Sequence, residues 1–167
     1  MADMLHVVPE IEFDKTDRAI LTELQRNGRI ANVELADKVN LSPSSCLRRT
    51  KALEASGVIA GYRAELDRER AGLGLTVFVS LRVNQHSRET SVRILDAITQ
   101  IPSVVACYIV SGEADVLVEA VVPGLHEYEE LLLDQLLAID VVIDARSTFA
   151  IRTVLSRGPL PVDQLRR

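Results

Sequence analysis

The feature that most restricts the fold of this 167-residue chain is a change of hydrophobic period between residues 66 and 76. Upstream, apolar positions recur at the 3.6-residue spacing of amphipathic helices; downstream, they recur at the two-residue spacing of half-buried strands. One layer type cannot satisfy both patterns, so two modules are expected, and the length allows two small cores. Gly72, Gly74 and the charged run 67–70 mark the joint between them.

The first module reads as three short helices. Over 15–26, Ala19, Ile20, Leu21 and Leu24 share a face, Asp14 stands at the N-cap position, and Asn27-Gly28 ends the run. Asn32 is expected to cap a second helix over 33–39 that buries Val33 and Ala36, with Leu35 a further candidate. Asn40 then supplies a residue tolerant of the left-handed conformation. Ser42 is placed to accept a bond from an N-terminal amide, Pro43 has the fixed φ of a first helical residue, and Gly57 is the natural stop of this third helix. The segment 58–66 is short and partly β-prone.

In the second module, Val77, Val79, Leu81 and Val83 alternate with Thr76, Phe78, Ser80 and Arg82, the signature of a strand. Val92, Ile94, Leu95 and Ile98 mark a helix closed by Pro102, and 104–110 is a second strand that runs into the turn Ser111-Gly112-Glu113. A strand over 115–122, a helix over 125–137 with Tyr128, Leu131, Leu132 and Leu136 inward, and a final strand or pair of strands over 141–154 complete the series. The order β-α-β-β-α-β is the ferredoxin-like arrangement, so the fold class expected is α+β. Two helices cover one face of such a sheet. Phe78 and Leu117 give the other face apolar character, which a second subunit is expected to cover.

Composition narrows the function. A total of 19 Lys and Arg against 24 Asp and Glu gives −5, but the deficit is uneven. Residues 1–63 hold nine of each sign, and 41–63 is locally +3 through Arg48, Arg49, Lys51 and Arg63 against Glu54. The first twelve residues lack the pattern of a secretory signal, and no apolar run is long enough to span a membrane, so a cytoplasmic location is expected. Cys46 and Cys107 show neither disulfide nor zinc spacing, and no metal site or cofactor is expected. Catalysis is not expected: His86 and His126 have no spacing to a nucleophile, and Gly72-x-Gly74 lacks the third glycine of a phosphate-cradling loop.

A run of cations on a helix is ordinarily a solvated face. Here it follows a capped helix, a tight turn and a Ser-Pro helix start, the place where a helix-turn-helix docks in the major groove. Cys46, Leu47, Thr50 and Leu53 are taken as the inward side. Ser42, Ser44, Ser45, Arg48, Arg49 and Lys51 are then the candidate contacts to double-stranded DNA, with Arg suited to guanine or phosphate and Ser to close approach.

The series Asp14-x-x-Asp17-x-x-Ile20-Leu21, Asn27-Gly28-Arg29, Leu35-Ala36, Leu41-Ser42-Pro43-x-x-Cys46-x-x-Arg49 and Leu53-Glu54-x-x-Gly57-Val58-Ile59 resembles the Lrp/AsnC family of leucine-responsive and asparagine-responsive transcriptional regulators. The likeness continues through Val110-Ser111-Gly112-x-x-Asp115 to about Val154, and Thr50 stands where Val or Ile is commoner. The resemblance implies a winged-type helix-turn-helix domain over 1–60, a β-strand linker over 61–74, a ferredoxin-like regulatory domain over 75–155 and a tail over 156–167. It implies homodimers joined through the sheets, assembly to octamers or similar rings, operators of two-fold character, a nucleoid-associated protein and an amino-acid effector bound between dimers.

The matching effector turn is 110–115, where turn amides helped by Gly112 can receive a carboxylate and Asp115 can pair with an ammonium group. Ser111 and Glu113 belong to this turn, and Tyr108, Ile109, Ser147 and Thr148 are the candidate walls. Ala114 and Val116 are smaller than the residues common in relatives. The competing reading of the turn is a plain hairpin with Asp115 as its brace. The competing reading of the chain is an amino-acid sensor or interaction module in which DNA binding is secondary or lost.

Overall fold

A computed structural model describes residues 12–84 and 87–165. His86 and the first eleven residues, both weighed above, lie outside the described residues. The chain divides into two compact units, one formed by residues up to Glu65 together with those from Leu155 onward, the other by Leu66–Val154.

The first unit contains α1 (Lys15–Arg26), α2 (Asn32–Lys38) and α3 (Pro43–Ala55). Its core is Ile20, Leu21, Leu35, Ala36, Cys46 and Leu53. Asp14 caps α1 as expected, and Gly57 after α3 has φ +78°, a conformation that disfavours a side chain. Three expectations need correction. The N-cap of α2 is Ala31, not Asn32, because the Asn32 amide instead donates to the Pro43 carbonyl at 2.8 Å. Val33 is 60% exposed while Leu35 and Ala36 are buried, so the apolar stripe of α2 is rotated from the one expected. Leu47 likewise is 45% exposed, and Cys46 and Leu53 carry the inward face of α3.

The tail belongs to this unit. Gln25 clamps Leu160 at two points, with Oε1 accepting from its amide at 2.6 Å and Nε2 donating to its carbonyl at 3.3 Å. Arg18 donates to the carbonyls of Asp163 and Leu165, and a 3-10 turn over Val162–Gln164 presses Val162 and Leu165 onto the helical core. The tail, α1 and residues 58–62 enclose an apolar cavity of about 240 Å³.

The second unit contains β1 (Leu75–Val83), α4 (Arg88–Thr99), β2 (Val104–Ile109), β3 (Val116–Val122), α5 (Leu125–Glu130) and β4 (Val142–Phe149). The strands form one antiparallel sheet in the order β2-β3-β1-β4, and with α4 and α5 this is the ferredoxin-like βαββαβ fold. Val77, Val79 and Leu81 of β1 and Val116, Val118 and Ala120 of β3 pack under Ile94, Ile98, Tyr128, Leu131 and Leu136. The helix expected over 125–137 changes winding: after Glu130 it continues as a π-helix, Leu131–Leu136. Val92, expected inward, is 51% exposed on α4.

No strand forms over 61–74; residues 68–72 are turn instead. A strand needs a neighbour to receive its ladder bonds, and no described segment pairs with this one. The final strand stops at Phe149, opposite Val77, rather than at Val154, because β1 begins at Leu75 and has no residues to pair with those beyond; the Ala150 amide, bonded to the Thr76 carbonyl, extends the pairing by one residue. Arg68, at the start of this unit, crosses to the sheet and bonds Thr76 Oγ1 at 3.0 Å and Glu119 at 2.9 Å.

Candidate functional site

The helix that carries the candidate DNA contacts is positioned at its first turn. The Ser42 hydroxyl accepts from the Ser45 amide at 3.3 Å, and Pro43 follows as the first helical residue. Asn40, at φ 55°, turns the chain so that the Leu41 amide reaches the Ala36 carbonyl at 2.9 Å, and the Asn32–Pro43 bond fixes the two helix starts to each other. At the far end the Tyr62 hydroxyl donates to Glu54 at 2.9 Å, over a Gly28 whose missing side chain leaves room for the ring. Burial first, and then this carboxylate, hold the Tyr62 phenol above its usual pKa.

The six candidate residues fall into two groups. Ser44, Arg48 and Lys51 are exposed, and among the described residues Arg48 and Lys51 form no salt bridge. Ser42 is spent as the helix cap, Ser45 is half-buried, and Arg49 is turned inward to Asp14 and Asp17 at 2.8 and 2.7 Å. The exposed face can offer one guanidinium and one ammonium to a polyanion without breaking a salt bridge among the described residues, beside the Ser44 hydroxyl, which lies 3.2 Å from that of Ser42.

In the second unit the turn between β2 and β3 has Gly112 at φ +132°, with Ser111, Gly112 and Glu113 exposed. Asp115 anchors the turn: its Oδ2 accepts from the Val83 amide at 2.9 Å, its own amide donates to the Leu81 carbonyl, and its carbonyl accepts from Val110. A cavity of about 170 Å³ opens beside it, lined by Ile109, Val110, Asp115 and Val116 together with Val83, Thr90, Ser91 and Ile94. Residues of α4 thus supply a wall that sequence reasoning did not name. Thr90 and Ser91 follow the helix cap Ser87, the one local signal that could have pointed to them.

The other proposed walls are not brought to this cavity. Ser147 and Thr148 stand on β4, the opposite edge strand from β2. Ser147 shares the helix-covered face with Val79 and bonds the Tyr128 hydroxyl, whereas Thr148 lies on the other face opposite Phe78. Tyr108, paired with Leu117, is also on that helix-free face. Arg146 of β4, which the sequence did not single out, reaches Glu113 at 3.5 Å. Both cysteines are free; burial raises the Cys107 thiol pKa. Among the described residues no group of His, Cys, Asp and Glu could hold a metal ion, and no helix is long and apolar enough to cross a membrane.

Comparison with known proteins gives this geometry its context. Residues 13–60 match the model for a winged helix-turn-helix DNA-binding domain, and residues 76–160 match the Lrp/AsnC ligand binding domain. The chain belongs to the Lrp/AsnC family. The leucine-responsive regulatory protein of Escherichia coli is 37% identical over 154 residues, 92% of this chain and 94% of that protein. A transcriptional regulator of Neisseria meningitidis, solved with L-methionine, superimposes with a TM-score of 0.87 at 37% identity, covering 92% of this chain and 99% of its own. An AsnC family regulator from Agrobacterium tumefaciens gives 0.86 at 36% identity, covering 90% and 98%. Within the family, this chain is a DNA-binding transcriptional regulator with a ligand-binding domain, not an enzyme.

Proposed function

We propose that the protein reads operator DNA with Ser44, Arg48 and Lys51 of α3 and answers to an amino acid bound at the turn between β2 and β3. The observation that carries the first half is the exposed face of α3, where two cations that form no salt bridge among the described residues flank a small hydroxyl on a helix braced at both ends. Ser42, Ser45 and Arg49 support that face rather than form it. The second half rests on the cavity beside Asp115, which supplies the charge for an ammonium group, and on the adjoining exposed turn, where Gly112, outside the cavity lining, leaves the backbone open to a carboxylate. The complex of the Neisseria relative with L-methionine supports this class of ligand.

Dimers form through the helix-free sheet face, to which Phe78, Leu117 and Tyr108 contribute, and dimers assemble further into octamers or similar rings. Paired heads then require operators with two-fold character. The protein acts in the cytoplasm, on the nucleoid.

Footprinting on genomic fragments captured by the protein tests the reading. Half-sites separated by one helical turn, about 10.5 bp, or a multiple of it are expected. Mass in solution, with and without a panel of amino acids, is expected to report rings whose size or stability changes with ligand. Absence of any salt-sensitive, sequence-selective binding overturns the DNA assignment, and an assembly and conformation blind to all amino acids overturns the effector assignment.

A further inference from the structure

Arg49 differs from the other cations of α3 in what it faces. The buried residues Cys46 and Leu53 lie seven positions apart, and Arg49 and Thr50 fall between them on the same side of the helix, away from Arg48 and Lys51. From that side the Arg49 guanidinium crosses to the start of α1, where Nη1 donates to Asp14 Oδ2 at 2.8 Å and to Asp17 Oδ1 at 2.7 Å. The same carboxylates form the capping box of α1 through their other oxygens. Asp14 Oδ1 accepts from the Asp17 amide at 2.8 Å, and Asp17 Oδ2 accepts from the Asp14 amide at 3.3 Å. All four carboxylate oxygens are therefore engaged, each residue dividing its pair between the backbone of α1 and the side chain of α3. The cap fixes the acceptors, and the planar guanidinium bridges them.

We propose that Arg49 is a positioning residue for DNA recognition, one that ties α3 to the Asp14–Asp17 capping box and sets the angle at which the reading face is presented. This rests on the assignment of α3 to DNA reading. Two carboxylates more than offset one guanidinium, so the triad gives an approaching phosphate no net attraction. The hydrogen bonds to Asp17 and then Asp14 hold Arg49 above its ordinary pKa. Arg49 is thus withdrawn from the set of direct contacts, and it acts on affinity through helix orientation.

The salt dependence of binding separates orientation from contact. Each cation that neutralises a phosphate adds about 0.9 to the slope of log affinity against log salt. On an operator fragment captured by the full-length wild type, Arg48→Ala is expected to lose about that much slope. Arg49→Ala is expected to lose roughly threefold to tenfold in affinity with the slope unchanged, and Arg49→Lys, which can still reach one carboxylate, to recover part of the loss. The double variant Asp14→Asn with Asp17→Asn keeps amide caps and makes the unit more basic, yet it too is expected to weaken binding, and it serves if Arg49→Ala does not fold. A slope loss in Arg49→Ala equal to that of Arg48→Ala, or tighter binding by the double Asn variant, overturns the inference while the DNA assignment stands. A wild type that binds no DNA overturns the assignment itself.

Discussion

Ile20 and Leu81 are both fully buried but belong to different cores, so truncating each in turn asks whether head and ligand domain are separate units of stability. Ile20→Ala removes three carbons from a core of only six buried residues, and a substitution of this kind costs about 2–5 kcal/mol. A module of this size typically has about 3–9 kcal/mol in all. The variant should therefore lose close to half the stability of the head, a fall of roughly 10–25 °C in its transition. Leu81→Ala should cost a similar amount, but in the sheet unit. Hydrogen exchange read peptide by peptide during heating distinguishes the two. In Ile20→Ala, amides of α1–α3 should lose protection first while β1 and β3 exchange as in wild type, and residues 155–165 should exchange with the head. Joint loss of protection by both units in either variant would refute separate cores and make the chain one cooperative body.

Three further outcomes follow from particular bonds. Ser42→Ala removes the cap of α3 and should cost about 1 kcal/mol, measured by denaturant unfolding, with Ser42→Asn close to wild type. The Asp14 carboxyl is held below its ordinary value of 3.8, first by the Asp17 amide and also by Arg49, although partial burial opposes the shift. A lowered folded pKa gives stability that is present above 3.8 and disappears as pH falls through the lower folded value. Melting of the head should decline in that acid window, and Asp14→Asn should flatten the decline. Gln25→Ala releases both bonds to Leu160 and should make 155–165 the first site of limited proteolysis, while the sheet unit stays resistant; an unchanged cleavage order would show that Arg18, Val162 and Leu165 hold the tail without Gln25.

What the sequence made legible was decided locally. Asp14, Asn40, Ser42-Pro43 and Gly57 act through their own backbone geometry, and each sits in the structure where its chemistry requires. The alternation of Val77, Val79 and Leu81 fixed the buried face of β1 because a strand allows only two sides. Helical stripes are broader, and this is why Val33, Leu47 and Val92 were assigned inward and lie exposed. The role of the tail was not legible. Its grip depends on Gln25 and Arg18, more than 130 residues away, and on bonds to backbone carbonyls that any sequence presents.

Two features of the candidate sites were already open to reading from the sequence alone. Ser147 and Thr148 are adjacent on a strand, so they must point to opposite faces and cannot both line one wall; the structure puts one against Tyr128 and the other opposite Phe78. Arg49 stands three residues after Cys46 and four before Leu53, on the buried stripe of α3, while its neighbour Arg48 is turned about 100° away. An arginine on a buried stripe needs carboxylates, and Asp14 and Asp17 provide them from a helix start they also cap. The feature that makes this unit resemble a DNA reader is a basic helix. Part of that basicity is consumed inside the fold, at Arg49, and Arg48 and Lys51 are the α3 cations that remain outside it.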